Sequence, residues 1–220
     1  SRKATSEEER EAAMDIISLL TPVIKGYLTD KGFETAVNAQ QIYGGHGYIR
    51  EWGQEQLVRD ARIAQIYEGT NGIQALDLMG RKVVNDREGM LEVLCAEIRD
   101  YLESEAGNSE FAEPLAAALE CLVETTAGIR ARAATAPEET GAAATAYLDL
   151  ISLVLYAYMW SRMVDVARKR ENDTTEKDFY RAKVLTGRFF LARILPRYRS
   201  LAAEIAAGSG PLMAMDASLF

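Results

Sequence analysis

The chain has 220 residues, of which 48% are hydrophobic and 26% are charged, so it can bury a large core and has the composition of a soluble globular protein. A formal net charge of −8 and a pI near 4.9 argue against nucleic acid and anionic membranes as partners, because both need a basic surface. A single histidine, His46, argues against zinc or di-iron sites. We expect Cys95 and Cys121 to be buried free thiols, which fits the reducing cytoplasm.

The first 85 residues predict short helices joined by corners that contain glycine. Ser6-Glu7-Glu8-Glu9 has the spacing of a capping box, so a first helix is expected from there to about residue 19. Thr21-Pro22 then predicts the start of a second helix, because proline fits the first helical position. This helix would end at Gly44-Gly45, followed by one or two short helices over residues 54–65 and another over 72–84.

Residues 86–220 predict four longer helices, in which apolar residues recur at three- and four-residue steps. The expected ranges are 86–105, 109–134, 137–170, and a helix from Asp173-Thr174-Thr175 to about Gly208 that bends at Pro196. The third is apolar nearly all round, as a central helix is. Its apolar run Leu150–Trp160 is too short for a membrane span, which needs about 20 residues. Because no segment alternates as a strand does, we predict an all-α fold of antiparallel helix bundles, with domains over 1–85 and 86–220.

Two glycine clusters interrupt the first half, Gly44-Gly45-His46-Gly47 and Gly69-Thr70-Asn71-Gly72. Glycine weakens helices but lets the backbone turn sharply or approach a ligand closely. We interpret the first cluster as a turn that faces a cofactor. Glu68 stands directly before the second cluster, where a carboxylate can reach into a cleft as a general base. The structural alternative is that Gly44-Gly45 ends a helix and that Glu68 and Thr70 cap the next one.

The run Gln41-Ile42-Tyr43-Gly44-Gly45-His46-Gly47-Tyr48, with Arg59-Asp60-Ala61 and Ile66-Tyr67-Glu68-Gly69-Thr70, resembles the C-terminal signature of the acyl-CoA dehydrogenase family. The likeness covers about residues 10–85, and residues 86–220 resemble the additional helical domain of the methylthiopropionyl-CoA dehydrogenase-like subgroup. The resemblance implies that the chain holds the later part of a four-helix bundle plus this extension. As such a fragment, it is expected to be inactive alone.

The resemblance also implies a reaction, in which an FAD-dependent enzyme oxidises acyl-CoA to trans-2-enoyl-CoA. Glu68 would be the catalytic base that removes the α-proton while a hydride passes to the flavin. The implied partners are acyl-CoA, an electron-transfer flavoprotein and further copies of the chain in a dimer or tetramer. An acyl-CoA oxidase and a non-catalytic helical interaction module remain as alternatives.

The same resemblance implies five cofactor contacts. Gln41, Gly44 and Gly45 match positions that touch FAD, usually the FAD of a neighbouring subunit. Thr70 and Asn71 match the turn that contacts the ribityl or phosphate groups of the flavin. Thr70 is also well placed to cap the helix that follows.

Overall fold

The computed structural model describes residues 6–87, 89–104, 110–170 and 175–219, apart from the side chain of Glu8. Every regular element in these ranges is a helix, which confirms the predicted all-α class. The α-helices are α1 Glu7–Val23, α2 Thr29–Tyr43, α3 Gly45–Tyr48, α4 Gln54–Ile63, α5 Asn71–Met79, α6 Met90–Glu103, α7 Ala112–Ala133, α8 Glu138–Arg170, α9 Lys177–Phe189, α10 Tyr198–Ala206 and α11 Gly210–Met213. Three π-helical segments lie at Ile24–Leu28, Gly80–Val84 and Phe190–Ile194, and 3₁₀ turns lie at Arg50–Trp52, Leu195–Arg197 and Ala217–Leu219.

The start of α1 follows the predicted capping box. Ser6 Oγ accepts from the backbone N–H of Glu9, and Glu9 Oε2 accepts from the backbone N–H of Ser6. The prediction that Thr21-Pro22 begins a second helix is wrong, because Pro22 lies inside α1. Helix α1, the first π segment and α2 follow one another directly, so helical backbone continues from Glu7 to Tyr43.

A distant lysine explains why Pro22 is tolerated inside α1. Proline has no N–H, so it leaves the carbonyl four residues earlier, at Ser18, without its helical donor. The buried Lys82 donates its Nζ to this Ser18 carbonyl and lies 3.3 Å from Asp77 Oδ2. The carbonyl is therefore satisfied by a residue 64 positions away.

The second half agrees with the predicted ranges of α6, α7 and α8 to within a few residues. The predicted start at Asp173-Thr174 lies outside the described residues, and α9 begins at Lys177. Helix α9 ends before Pro196, where a π segment and a 3₁₀ turn replace the α-helical hydrogen bonds that proline cannot make. The predicted bend at Pro196 thus coincides with a change of helix type.

Helix α8 lies at the centre of the fold, packed against α5, α7, α9 and α10. Tyr147 on α8 is fully buried, and its hydroxyl lies 2.7 Å from Thr126 Oγ1 on α7. One hydrophobic core joins both halves of the chain, because Leu19 and Leu78 from the first half pack in the same cluster as residues of α6, α7 and α8. The two halves therefore stabilise each other through α8.

The end of α10 is fastened to the corner between α7 and α8. Glu139 is buried and accepts from the backbone N–H of Ser209 at 2.8 Å and from its Oγ at 2.7 Å. Arg132 Nε contacts the other carboxylate oxygen at 2.7 Å, and Arg132 Nη2 donates to the carbonyl of Ile205. These donors, the Ser209 backbone first, lower the pKa of Glu139 from its ordinary 4.5 to about 2.

Two helical stretches, Glu9–Tyr43 and Glu138–Arg170, are long and apolar enough to cross a membrane when length and composition alone are considered. In the second, 67% of the most apolar window is buried inside the fold, which is what a central core helix shows. Cys95 is buried and Cys121 is half-buried, and both are free thiols as expected. Burial raises the pKa of Cys95 to about 11.

Candidate active site

The turn between α4 and α5 carries Glu68, the predicted base. Glu68 has φ 54°, and no other non-glycine residue in the described ranges has a positive φ. Gly69 follows with φ 81°. A side chain in this left-handed region costs about 1–2 kcal/mol, and such strain is concentrated at functional sites. The strained backbone therefore supports a functional interpretation of this turn.

The Glu68 side chain is exposed, and the described residues offer it no hydrogen-bond or ion-pair partner. Its backbone carbonyl, in contrast, accepts from Gln74 Nε2 at 3.1 Å. Thr70 is the N-cap of α5, with Oγ1 accepting from the N–H of Ile73 at 3.4 Å. The chain thus fixes the backbone of the turn and leaves the carboxylate free.

Asn71 connects this turn to the first π segment. Its Oδ1 accepts from Lys25 Nζ at 2.8 Å, and its Nδ2 donates to the carbonyl of Gly26 at 3.0 Å. The same Nδ2 lies 2.9 Å from Thr29 Oγ1 and 2.6 Å from Asp30 Oδ1. Both ends of the amide are therefore occupied by groups of the chain itself.

Helices α2 and α4 pack side by side in opposite directions. Gln54 Nε2, at the start of α4, donates to the carbonyl of Ala36, and Gln65 Nε2, just past its end, donates to Asp30 Oδ1 at 2.5 Å. The turn at Gly44 and the turn at Glu68 consequently lie at opposite ends of α2. Since α2 has 15 residues, at 1.5 Å per residue the separation is about 22 Å. Within a single chain, the two predicted glycine clusters are therefore not adjacent.

The first glycine turn contains two kinds of glycine. Gly44 has φ 59°, and a Cβ added to Gly45 would meet nothing within 4 Å. Gly47 is buried, and a Cβ there would lie 2.5 Å from the carbonyl oxygen of Gln40. Gly47 is thus required by packing, whereas Gly44 and Gly45 border open space beside the exposed Gln41. An exposed amide next to open glycines is compatible with a dinucleotide cofactor.

Large apolar side chains around both turns are exposed. Ile42 is 86% exposed and Tyr48 is 79% exposed. The others are Tyr43, Ile49, Trp52, Leu57, Ile63, Ile66, Tyr67, Ile73 and Leu76. Large apolar side chains exposed in such numbers are typical of a surface that other protein or a ligand covers.

The sequence located the Glu68 turn but missed Lys25, Asp30 and Gln65, which hold it. These side chains lie 35 to 46 positions from the residues that they contact in the turn or before it, and no local spacing reveals them. Gln74 could have been found, because it stands within one helical turn of the Thr70 cap. No group of three or more His, Cys, Asp or Glu side chains in the described ranges is arranged to hold a metal ion.

Comparison with known families gives two matches. The model described as "Acyl-CoA dehydrogenase, C-terminal domain" matches residues 2–83, and the model described as "Acetyl-CoA dehydrogenase C-terminal like" matches residues 94–216. The second match alone covers more than half of the chain. The chain therefore belongs to the acyl-CoA dehydrogenase family, as the signature predicts.

Individual relatives support the same family assignment. The chain is 31% identical over 193 residues to the 3-methylmercaptopropionyl-CoA dehydrogenase of Ruegeria pomeroyi, covering 86% of this chain and 33% of that protein. It is 27% identical to the broad-specificity linear acyl-CoA dehydrogenase FadE5 of Mycobacterium tuberculosis, covering 96% of this chain and 37% of the relative. An acyl-CoA dehydrogenase from Bacillus anthracis, solved with FAD, has the same fold, with a TM-score of 0.64 at 22% identity over 85% of this chain and 32% of that one. The chain spans about a third of the length of these proteins.

Proposed function

We propose that this chain is the C-terminal part of an FAD-dependent acyl-CoA dehydrogenase, an oxidoreductase that converts acyl-CoA to trans-2-enoyl-CoA. The observation that carries the proposal is Glu68, an exposed carboxylate with no partner among the described residues, on a strained turn of the family signature. In this role Glu68 takes the α-proton, leaving the electron pair to form the α–β double bond. FAD, when bound, accepts the β-hydrogen as hydride.

The geometry supports Glu68 as the base in two respects. A proton next to a thioester is weakly acidic, so its base must be held close to it and correctly aimed. The contacts of the Glu68 carbonyl and the Thr70 hydroxyl fix the turn, while Gly69 adds no side chain beside the carboxylate. General-base catalysis is worth about 10²–10⁴-fold, and the fixed turn is what allows one glutamate to supply it.

The proposed FAD contacts divide into two groups. Gln41, Gly44 and Gly45 border open space at one end of α2, and Thr70 lies at the other end. A separation of about 22 Å is compatible with the expectation, implied by the family resemblance, that the first group contacts the FAD of a neighbouring copy. The sequence also predicts a flavin contact for Asn71, whose side chain is already engaged within the chain. We therefore propose that the chain forms a homo-oligomer, a dimer or tetramer. From the family resemblance we further propose an electron-transfer flavoprotein as the electron acceptor and a cytoplasmic location.

Replacing Glu68 by Gln in the full-length protein tests the base. With acyl-CoA under anaerobic conditions, wild-type flavin absorbance should bleach, and Glu68→Gln should slow bleaching by at least about 10²-fold while retaining FAD. Glu120→Gln is the matched control, because Glu120 is an exposed glutamate on α7 far along the chain. Unchanged bleaching in Glu68→Gln would exclude this glutamate as the base.

The alternatives give different results in the same experiments. An acyl-CoA oxidase would reoxidise its flavin rapidly in air after reduction by substrate, and a dehydrogenase would not. If the protein were a non-catalytic interaction module, its full-length form would bind no flavin. We also propose that the 220-residue chain alone is colourless and inactive, because it spans about a third of the length of its relatives and would hold only part of the flavin site; a yellow stoichiometric complex would contradict this.

A further inference from the structure

The Asn71 amide is oriented by opposite charges. Its oxygen faces the ammonium of Lys25 at 2.8 Å, and its nitrogen faces the carboxylate of Asp30 at 2.6 Å. An amide between a cation and an anion has one favourable orientation, so the contact fixes both the position and the rotation of this side chain. Neither charged residue contributes to the N-cap of α5, which Thr70 already provides.

The π segment supplies one of the acceptors of the Asn71 amide. In a regular α-helix each interior carbonyl accepts from the N–H four residues later, so a side-chain amide finds few free acceptors. The carbonyl of Gly26 in the segment Ile24–Leu28 accepts from the backbone N–H of Thr29, from Thr29 Oγ1 at 3.1 Å and from Asn71 Nδ2 at 3.0 Å. Such π turns occur often at functional sites.

Asn71 is also fixed through its backbone. Its N–H donates to the carbonyl of Gln65 at 3.2 Å, which closes the loop that contains Glu68. The Gln65 side chain donates to Asp30, the same carboxylate that accepts from Asn71. The loop from Gln65 to Asn71 is therefore closed on itself and attached to the start of α2 through Thr29 and Asp30.

We propose that Asn71 is a positioning residue, which sets where the Glu68 carboxylate stands by attaching its turn to the π segment. The inference rests on the proposed function of Glu68. It gives Asn71 a role different from the side-chain flavin contact that the sequence predicts. A base displaced by about 1 Å loses about 10²-fold in rate even when substrate still binds. Loss of the amide should therefore affect proton removal more than substrate or flavin binding.

The test uses Asn71→Ala in the full-length, FAD-loaded protein, with the rate of flavin reduction measured per bound flavin at saturating acyl-CoA. We expect a fall of about 10–10²-fold, with KM and FAD content within twofold of wild type and a larger α-deuterium isotope effect. Glu34→Gln is the matched control. Glu34 pairs with Lys31 at 2.7 Å on the same helix and does not touch the turn.

Two further variants keep the test decisive if Asn71→Ala does not fold. Thr29→Val keeps the side-chain shape and removes one contact of the amide, so the rate should fall about fivefold, the equivalent of one hydrogen bond. Asn71→Asp places a carboxylate against Asp30, and adding Asp30→Asn should recover part of the lost rate by restoring a donor between positions 30 and 71.

The outcomes separate the two proposals. If Glu68→Gln abolishes bleaching while Asn71→Ala and Thr29→Val reduce flavin as fast as wild type, the positioning role is refuted and the catalytic base stands. If Glu68→Gln bleaches normally, the proposed function itself fails. A loss of FAD in Asn71→Ala, with an unchanged rate per remaining flavin and no recovery in the Asn71→Asp pair, would also refute the positioning role.

Discussion

Gly26 joins the two halves of the protein at the back of the candidate site. A Cβ added there would lie 2.8 Å from Leu148 Cδ2 on α8 and 3.6 Å from Gln74 Cβ on α5. Leu148 is 2% exposed, so it has little room to move aside. Replacing Gly26 by alanine therefore forces the π segment away from α8 or distorts it.

The expected cost follows from two opposing effects. Overpacking a filled core costs about 1–3 kcal/mol, whereas replacing a helical glycine by alanine gains about 0.4–1 kcal/mol. Gly26→Ala should therefore destabilise the protein by about 1–2 kcal/mol. Gly32→Ala is the matched control on α2, because its added Cβ meets nothing within 4 Å, and it should be neutral or stabilising.

Unfolding in urea is followed by circular dichroism, and the midpoints are compared between variants whose unfolding free energy has the same slope against urea concentration. Leu148→Ala alone should destabilise by about 2–5 kcal/mol. In the double variant with Gly26→Ala, the loss of stability should be smaller than the sum of the two single losses, because the alanine at 26 then occupies part of the space left at 148. If Gly26→Ala is as stable as Gly32→Ala, or if the double variant is strictly additive, the close contact does not stabilise the fold as argued.

Three other variants test separate parts of the structure. Gly47→Ala should destabilise by about 2–3 kcal/mol through its backbone clash, whereas Gly45→Ala should leave the unfolding midpoint unchanged and weaken FAD binding, as measured by FAD titration. Lys82→Met should cost about 1–3 kcal/mol by leaving a carbonyl unsatisfied, and adding Pro22→Ala should recover part of this loss in urea unfolding because it restores a helical N–H. The pKa of Glu139 is lowered, so the stability that its carboxylate contributes is complete above about pH 4.5 and is lost as pH falls toward 2. In Glu139→Gln the urea midpoint of unfolding should therefore depend less on pH within this window.

Local signals in the sequence were sufficient for most helices. The capping box at Ser6, the glycine stop after Tyr43 and the apolar centre of α8 each predict an element that the structure contains. These signals work because their physical cause lies within one or two helical turns. The family signature likewise identified the Glu68 turn, which is a local feature.

The failures have non-local causes. Thr21-Pro22 carries a valid signal for a helix start, but the distant Lys82 satisfies the carbonyl that Pro22 leaves free, so the helix continues. The π segments cannot be read from periodicity, because one extra residue per turn looks like a slip in the apolar pattern. The role of Asn71 depends on Lys25 and Asp30, which reach it only after α4 folds back along α2.

The position of α8 gives the second half of the chain a role at the site as well as in the core. The Asn71 amide donates to the carbonyl of Gly26, which lies in the first π segment. Leu148 packs against the glycine in that register, so α8 favours the π turn over a regular helix that would shift every following side chain by about 100°. Shifting α2 in this way would turn Asp30 and Thr29 away from the turn that carries Glu68. Packing of the second half against the first is therefore coupled to the geometry of the proposed base, although none of its residues needs to touch the substrate.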